Sequence, residues 1–287
     1  MNYILFDLEW NSTKDQKNGK YVNEIIEIGA CMLNSNFEEI SYFSEVVNPV
    51  LGDKLNQYVK NLTHITQAEL DAARDFKSVI HDFKKWCKKF GKDTVFITWS
   101  NTDLHVIVDN YNTFLHKKSV DFINKYCDLQ KYSNRFIQTE NKNQISLSVA
   151  AESLGVDTSE YALHRALDDS RICAEILKIL YDEKIFPAYV SNVSSGDFYK
   201  RLTFKPYYIS MLSSPLVDKS HFKLNCPACK KPAKRLSSIR YRYKAFNCTY
   251  VCPSCKQKYQ MSVKFKKTFD DVIVSRAIRN VKTSETK

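Results

Sequence analysis

The apolar run Ile4-Leu5-Phe6-Asp7-Leu8-Glu9-Trp10 carries two acids at alternate positions. Strand side chains alternate with period two, so Asp7 and Glu9 would face one way and Phe6 and Leu8 the other. Adjacent carboxylates repel each other and resist desolvation, so they need open water or a bound cation. A divalent metal is the economical reading, and an acidic edge strand is the bland one. Asp103 follows Trp99-Ser100-Asn101-Thr102 at the end of the apolar stretch Thr94–Thr98. Ligands of open α/β sheets bind at such strand ends, although a helix-start Asp also favours the positive end of the helix dipole. Asp168 and Asp169 stand near the head of a strongly periodic helix, with His164 a few positions earlier.

A second chemical group lies far downstream. Cys226-Pro227-Ala228-Cys229 and Cys252-Pro253-Ser254-Cys255 are two C-x-x-C knuckles. Four thiolates so spaced form a tetrahedral zinc site, and the stretch between the knuckles has room for a β-hairpin. Cys248 falls outside the pattern and reads as a bystander. Cys31, Cys87, Cys127 and Cys173 are scattered and read as small buried hydrophobes. Nine cysteines without a signal peptide point to reduced thiols and a cytoplasmic protein. No stretch reaches the roughly 18 apolar residues of a membrane span.

The 287 residues, 44% hydrophobic and 26% charged, suit a globular chain with one ordinary domain and a smaller one. Net charge is +11, and it is unevenly distributed. From Asp197 onward there are 21 Lys and Arg against 5 Asp and Glu, whereas the preceding residues sum to −5. A basic module on a mildly acidic body suggests a polyanionic partner. In that module Arg240-Tyr241-Arg242-Tyr243-Lys244 alternates cations and aromatics. One strand face would carry Arg240, Arg242 and Lys244 to phosphates, and the other would set Tyr241 and Tyr243 on the core or against bases. A ribbon that binds a protein, or zinc that merely holds a small module together, is the competing account.

The elements that position these groups are legible in outline. Three consecutive strands, through Trp10, Asn23–Leu33 and Ile40–Val47, suggest an antiparallel meander. Helical spacing begins near Leu51, Thr66-Gln67-Ala68-Glu69 reads as a capping box, and Phe76–Phe90 presents an apolar face. A strand at Thr94–Thr98 turns into a helix reaching Leu115. Val120–Leu129 holds a last strand, Lys131–Asn143 a polar loop and Ser146–Leu154 a short helix stopped by Gly155. The helix after Asp169 closes the first domain, residues 1–186. Pro187 and Ser191–Gly196 place a linker at 187–200, and 201–287 form the basic zinc ribbon.

Collected in order, these motifs resemble the DEDDh family of 3′-to-5′ exonucleases. Phe6-Asp7-Leu8-Glu9 matches its first motif, Asp103 its second, and His164 through Asp169 the third pattern of His, four residues, Asp. The likeness spans residues 1 to about 185 and is nearest to the histone-mRNA 3′ exonucleases and their bacterial relatives. Glu24-Ile25-Ile26-Glu27-Ile28-Gly29 supports that placement, as does Leu62-Thr63-His64-Ile65-Thr66, where relatives commonly have Gly in place of His64. The resemblance implies a ribonuclease H-like α/β fold, a mixed sheet flanked by helices, with Asp7, Glu9, Asp103 and Asp169 as ligands of two Mg²⁺ or Mn²⁺ ions. It makes His164 a general base, which an ordinary imidazole pKa of about 6.5 permits. It also implies that Leu8, Trp10, Leu62 and Thr63 contact the terminal nucleotide, whose default alternative role is core. Asp168 competes with Asp169, and both the family spacing and the helical offset favour Asp169.

The physical chemistry agrees with that likeness. Phosphodiester hydrolysis needs an activated water, a neutralised phosphate and a stabilised leaving oxygen, which paired metals supply. Four carboxylates without a fixed cation nearby suit all-oxygen ligation. The expectation is release of nucleoside 5′-monophosphates from single-stranded 3′ ends, RNA favoured over DNA, with the ribbon aiding binding. Two alternatives are a catalytically inactive nucleic-acid-binding regulator on the same scaffold, and a hydrolase of dinucleotides or other small phosphodiesters.

Overall fold

The computed structural model describes residues 1–287 except 17, 18, 53, 138–144, 195 and 282–287. The chain divides between Leu202 and Thr203 into two units. In the first, β1 (Tyr3–Lys14) is central, antiparallel to β2 (Tyr21–Leu33), which continues antiparallel to β3 (Glu39–Asn48). On its other side β1 runs parallel to β5 (Val95–Thr98), and β5 parallel to β6 (Lys125–Asp128). The two-residue strands β4 (Arg74–Asp75) and β7 (Ser191–Asn192) complete a mixed sheet of order β4-β3-β2-β1-β5-β6-β7.

Alternation along β1 feeds two cores. Ile4, Phe6 and Leu8 pack with residues of α3 (Phe76–Lys88) and α4 (Asn101–Leu115). Tyr3 and Leu5 pack on the opposite face with α5 (Leu129–Ser133), α6 (Leu147–Ser153) and α7 (Ala166–Leu180). Helices α1 (Gln57–Thr63) and α2 (Gln67–Ala72) follow β3, and the expected capping box of α2 is formed. This is the expected α/β arrangement of a mixed sheet flanked by helices. Among the described residues no helix is long and apolar enough to cross a membrane.

Three expectations change. The strand in Val120–Leu129 is not the last, because β7 pairs antiparallel to it. The loop expected at Lys131–Asn143 begins inside α5, and 138–144 lie outside the described residues. The segment expected as a linker at 187–200 is structured up to and beyond residue 195, with a 3₁₀ turn, β7 and α8 (Gly196–Thr203). Its few apolar residues anchor it to the first unit. Val193 is fully buried, and the Tyr199 hydroxyl donates to the Val120 carbonyl at 3.0 Å.

The second unit is a six-stranded antiparallel sheet. Its path is β10 (Arg240–Arg242), β11 (Ala245–Val251), β12 (Lys258–Lys267) and β13 (Val272–Asn280). β9 (Lys234–Arg235) pairs with β11, and β8 (Tyr207–Tyr208) with β12. Phe246, Cys248 and Tyr250 of β11 and Tyr259, Met261, Val263 and Phe265 of β12 face one small core. Tyr243 and Lys244 have φ of 53° and 60°. Two left-handed residues in succession make a hairpin turn that matches strand twist. The expected alternation therefore ends at Arg242. Tyr241 packs on Phe246, Tyr243 is 94% exposed, and Lys244 belongs to the turn, its ammonium 5.7 Å from the centre of the Tyr208 ring.

Candidate active site

Three elements bring four carboxylates together. β1 supplies Asp7 and Glu9, and the first turn of α4 supplies Asp103. The Leu8 N–H donates to Asp103 Oδ1 at 3.3 Å, tying that helix to the strand between its two acids. Ser100 caps α4 by accepting from the Thr102 N–H. The first turn of α7 supplies Asp169, whose Oδ2 accepts the His164 N–H at 3.2 Å. His164 sits in left-handed backbone at φ 63°, and its ring nitrogen, a Glu9 oxygen and an Asp169 oxygen lie within 4.8 Å of one another.

The start of α7 has no cap from its own N-cap residue, Arg165. β2 performs that task. The buried Glu27 carboxylate accepts the Ala166 N–H at 3.0 Å and takes Arg165 in a fork, with Nη2 to Oε1 at 2.7 Å and Nε to Oε2 at 3.2 Å. A carboxylate at a helix N-terminus satisfies unpaired N–H groups and the dipole together. Glu27 stands directly opposite Glu9 in the β1–β2 register, so Arg165 also offsets their mutual repulsion. Two positions along, Gly29 lets α7 approach the sheet. A Cβ there would lie 2.0 Å from Leu167 N and 2.1 Å from the Ala166 carbonyl carbon. Glu27 and Gly29 belong to a segment singled out above, but no local pattern assigns them a task.

The four acids are held where ionisation is costly. Burial, then the charges of Asp103, Asp169 and Glu9, hold the Asp7 carboxyl well above its ordinary range. Burial pushes Glu9 up to about 8, with Asp169 and Glu27 adding to it, and Asp103 up to about 7. Asp169 rises to about 6, again through burial, against the lowering hydrogen bond from His164. Desolvated carboxylates facing one another hold protons unless a cation replaces them. An all-oxygen donor set fits hard divalent cations such as Mg²⁺ or Mn²⁺.

These groups open onto a cavity of about 460 Å³ lined by Asp7, Leu8, Glu9, Trp10, Leu62, Asp103, His164 and Asp169. Eight of the residues expected in the site thus meet at one place. Thr63 does not join them. It is fully buried, donating its hydroxyl to the Val59 carbonyl at 2.9 Å and accepting the Ile65 N–H at 3.2 Å, so it closes α1 internally. His64 is the left-handed cap of that helix at φ 59°, a backbone position that favours glycine, so the substitution there is a capping matter. Asp168 accepts the Ala162 N–H and faces Arg171 at 3.6 Å, leaving Asp169 as the carboxylate in the cavity. The wall also includes Trp99, from the stretch that leads to Asp103, and Tyr58, Ser146 and Leu163, which no motif marked.

In the second unit the Cys226, Cys229, Cys252 and Cys255 sulfurs converge within 4.8 Å of one another. The two knuckles repeat one geometry. Cys226 and Cys252 each accept an N–H four residues on, from Lys230 and Lys256 at 2.9 Å, and both lysines adopt left-handed backbone. Such a set can hold a tetrahedral ion. Cys248 packs in the core and takes no part.

Comparison with known proteins agrees with this geometry. The chain is 30% identical over 193 residues to ERI1 exoribonuclease 2 of Xenopus laevis, covering 60% of this chain and 27% of that protein. It is 27% identical over 203 residues to human 3′-5′ exoribonuclease 1, covering 66% and 58%. It therefore spans less than two thirds of these relatives. Among solved structures, the nuclease domain of 3′hExo, a DEDDh family member bound to rAMP, matches with a TM-score of 0.53 and 26% identity, over 61% of this chain and 88% of that one. The family described as Exonuclease matches residues 4–177, a span that contains all four carboxylates and His164, and the chain belongs to that family.

Proposed function

We propose that this protein is a 3′-to-5′ exonuclease that releases nucleoside 5′-monophosphates from the 3′ end of single-stranded RNA. The observation that carries the reading is the convergence of Asp7, Glu9, Asp103, Asp169 and His164 on one cavity. The four carboxylates would hold two Mg²⁺ or Mn²⁺ ions, which supply phosphate neutralisation and a more acidic water. His164, exposed at the cavity, takes the proton of the attacking water. Trp10 and Leu62 line the apolar part of the wall and seat the terminal nucleoside, while Leu8 borders the cavity with its side chain packed in the core behind it. RNA is preferred over DNA in this reading because its relatives are named exoribonucleases and one solved structure concerns 3′-end recognition of a histone mRNA stem-loop.

One Zn²⁺ held by the four cysteines would organise the second unit, whose cations raise affinity for long substrates by tethering. Nine cysteines, none of them in a disulfide, and an RNA substrate suit the cytoplasm. An inactive scaffold would be expected to lack a ligand, and none of the five residues is missing.

The test is a time course on matched 5′-labelled single-stranded RNA and DNA with Mg²⁺, Mn²⁺ or EDTA. A descending ladder that EDTA, Asp7→Ala and His164→Ala each abolish is the expected result. Intact binding without cleavage of either polymer would leave a binding scaffold instead. Cleavage confined to dinucleotides would make it a small-phosphodiester hydrolase.

A further inference from the structure

The six strands of the second unit contain no Asp or Glu. Residues directly opposed in antiparallel strands share a sheet face. The apolar residues of β11 and β12 occupy one face, so the alternate positions define the other. Across that second face Arg240 opposes Asn247, which opposes Ser262, which opposes Ala277. The next rows are Thr249, Gln260 and Arg279, then Val251 and Lys258, with Lys264 opposite Ser275 and Lys266 opposite Ile273. Arg242 lies two residues from Arg240 on the same side.

This face is open to solvent. Arg240, Lys258, Gln260, Lys264, Ser275, Ala277 and Arg279 are all exposed. Among the described residues no carboxylate pairs with any of its cations. Between them lie Ser, Thr, Asn and Gln side chains, with Val251, Ala277 and, toward one end, Ile273 as the apolar members. Its aromatic, Tyr208 opposite Lys266, has the Lys244 ammonium over its ring and so offers no free platform. From Lys258 to Lys264 the row runs about 20 Å along β12 at the usual strand rise.

We infer that this open sheet face takes the phosphodiester backbone of single-stranded RNA without reading its bases, through Arg240, Arg242, Lys258, Lys264, Lys266 and Arg279. Unpaired cations among small polar groups, on strands without acids, complement a chain of phosphates. Sequence preference needs directed base-edge contacts or stacking; here Asn247 and Ser262 are bonded to each other, Asn247 also to the Arg242 and Ala245 carbonyls, and the exposed Tyr243 stands on the hairpin turn rather than on the sheet face. The inference rests on the proposed RNA substrate and extends the contact surface from one hairpin to the whole sheet.

The experiment compares full-length proteins carrying Asp7→Ala to suppress cleavage, titrated into labelled 30-residue oligo(U), oligo(A) and duplex RNA from 50 to 300 mM KCl. Lys258→Gln/Lys264→Gln removes two cations from the face. Lys219→Gln/Lys223→Gln removes the same charge beside Phe222, which packs on the opposite, apolar side. With a salt slope of about 0.7 per phosphate contact, the face pair should weaken oligo(U) binding about 25-fold at 0.1 M salt and lower the slope by about 1.4. The other pair should change binding less than about threefold, and oligo(U) and oligo(A) should bind alike. Equal losses from both pairs, a strong base preference, tighter binding of duplex, or an acidic peptide of matched charge binding as well would each overturn the inference. Circular dichroism and melting of each variant separate a lost surface from a lost fold. Wild-type protein is assayed in parallel for cleavage of a trimer and of the 30-mer. Failure there refutes the exonuclease reading, while the binding titrations still decide the role of the face.

Discussion

Gly29→Ala should cripple the site without touching a functional side chain. The added Cβ would sit 2.0 Å from Leu167 N and 2.1 Å from the Ala166 carbonyl carbon, where ordinary contact begins at 3.4 Å. Both contacts are backbone, so no rotamer change relieves them. The first turn of α7 must retreat by about 1.4 Å, the difference between 3.4 and 2.0 Å, or the centre of β2 must give way. Either movement carries Asp169 away from Glu9, because Asp169 lies on that turn and His164 is bonded to it. Misplacement of about 1 Å can cost about 100-fold in rate, and overpacking of this kind costs about 1–3 kcal/mol in stability. The assay is kcat/KM on single-stranded RNA with saturating Mn²⁺, beside a thermal melt. A loss of about 100-fold in a protein that still melts cooperatively is expected. Activity within about threefold of wild type would refute the claim that close packing of α7 on β2 sets the ligand geometry.

Glu27→Gln should act through the same joint. It removes the charge that pairs with Arg165 and caps Ala166 while keeping a neutral acceptor, and Arg165 remains partly solvated, so a loss of about 2 kcal/mol in stability is expected from chemical denaturation. A variant as stable as wild type would show that the cap is dispensable. The carboxylates also predict a pH signature in the metal-free protein. Their folded pKa values lie above the ordinary carboxylate range, at about 6 for Asp169, 7 for Asp103 and 8 for Glu9. Between pH 4 and 8 the folded state therefore binds more protons than the unfolded one, and this contribution to stability falls as pH rises. Glu9→Gln should flatten the decline in melting temperature between pH 6 and 8, and Mn²⁺ should raise the wild-type value more at pH 8 than at pH 6. An unchanged slope in the variant would remove Glu9 from the cluster.

What could be read from the sequence follows how local each cause is. Asp7 and Glu9 were legible because period-two alternation is a property of one strand, and Asp103 because a strand end and a helix start adjoin in the chain. The knuckles were legible because each closes within a few residues. The supports were not. Glu27 lies far from Arg165 in sequence, and no local pattern says that a strand carboxylate caps a distant helix. Gly29 has ordinary φ, so a turn rule cannot explain it, and only the backbone that crosses it does. Thr63 erred in the opposite direction. The resemblance sets it among the nucleotide contacts, yet its hydroxyl completes its own helix. The linker erred because Val193 and Tyr199 are too few to register as a pattern, although each is fully or almost fully buried.

The same distinction explains how the site withstands its own charge. Four carboxylates, Asp103 and Asp169 buried and Asp7 and Glu9 half-buried, repel one another, and in the metal-free state the backbone must hold them near together. Each is fixed by a contact that does not depend on a metal. Asp7 and Glu9 are held by the β1 ladder, Asp103 by the Leu8 N–H, and Asp169 by a helix that Glu27 caps and Gly29 admits. Preorganisation of this kind stores unfavourable charge in the folded state, where a divalent cation relieves it. Metal affinity and metal-free stability should therefore trade against each other across variants of the four acids.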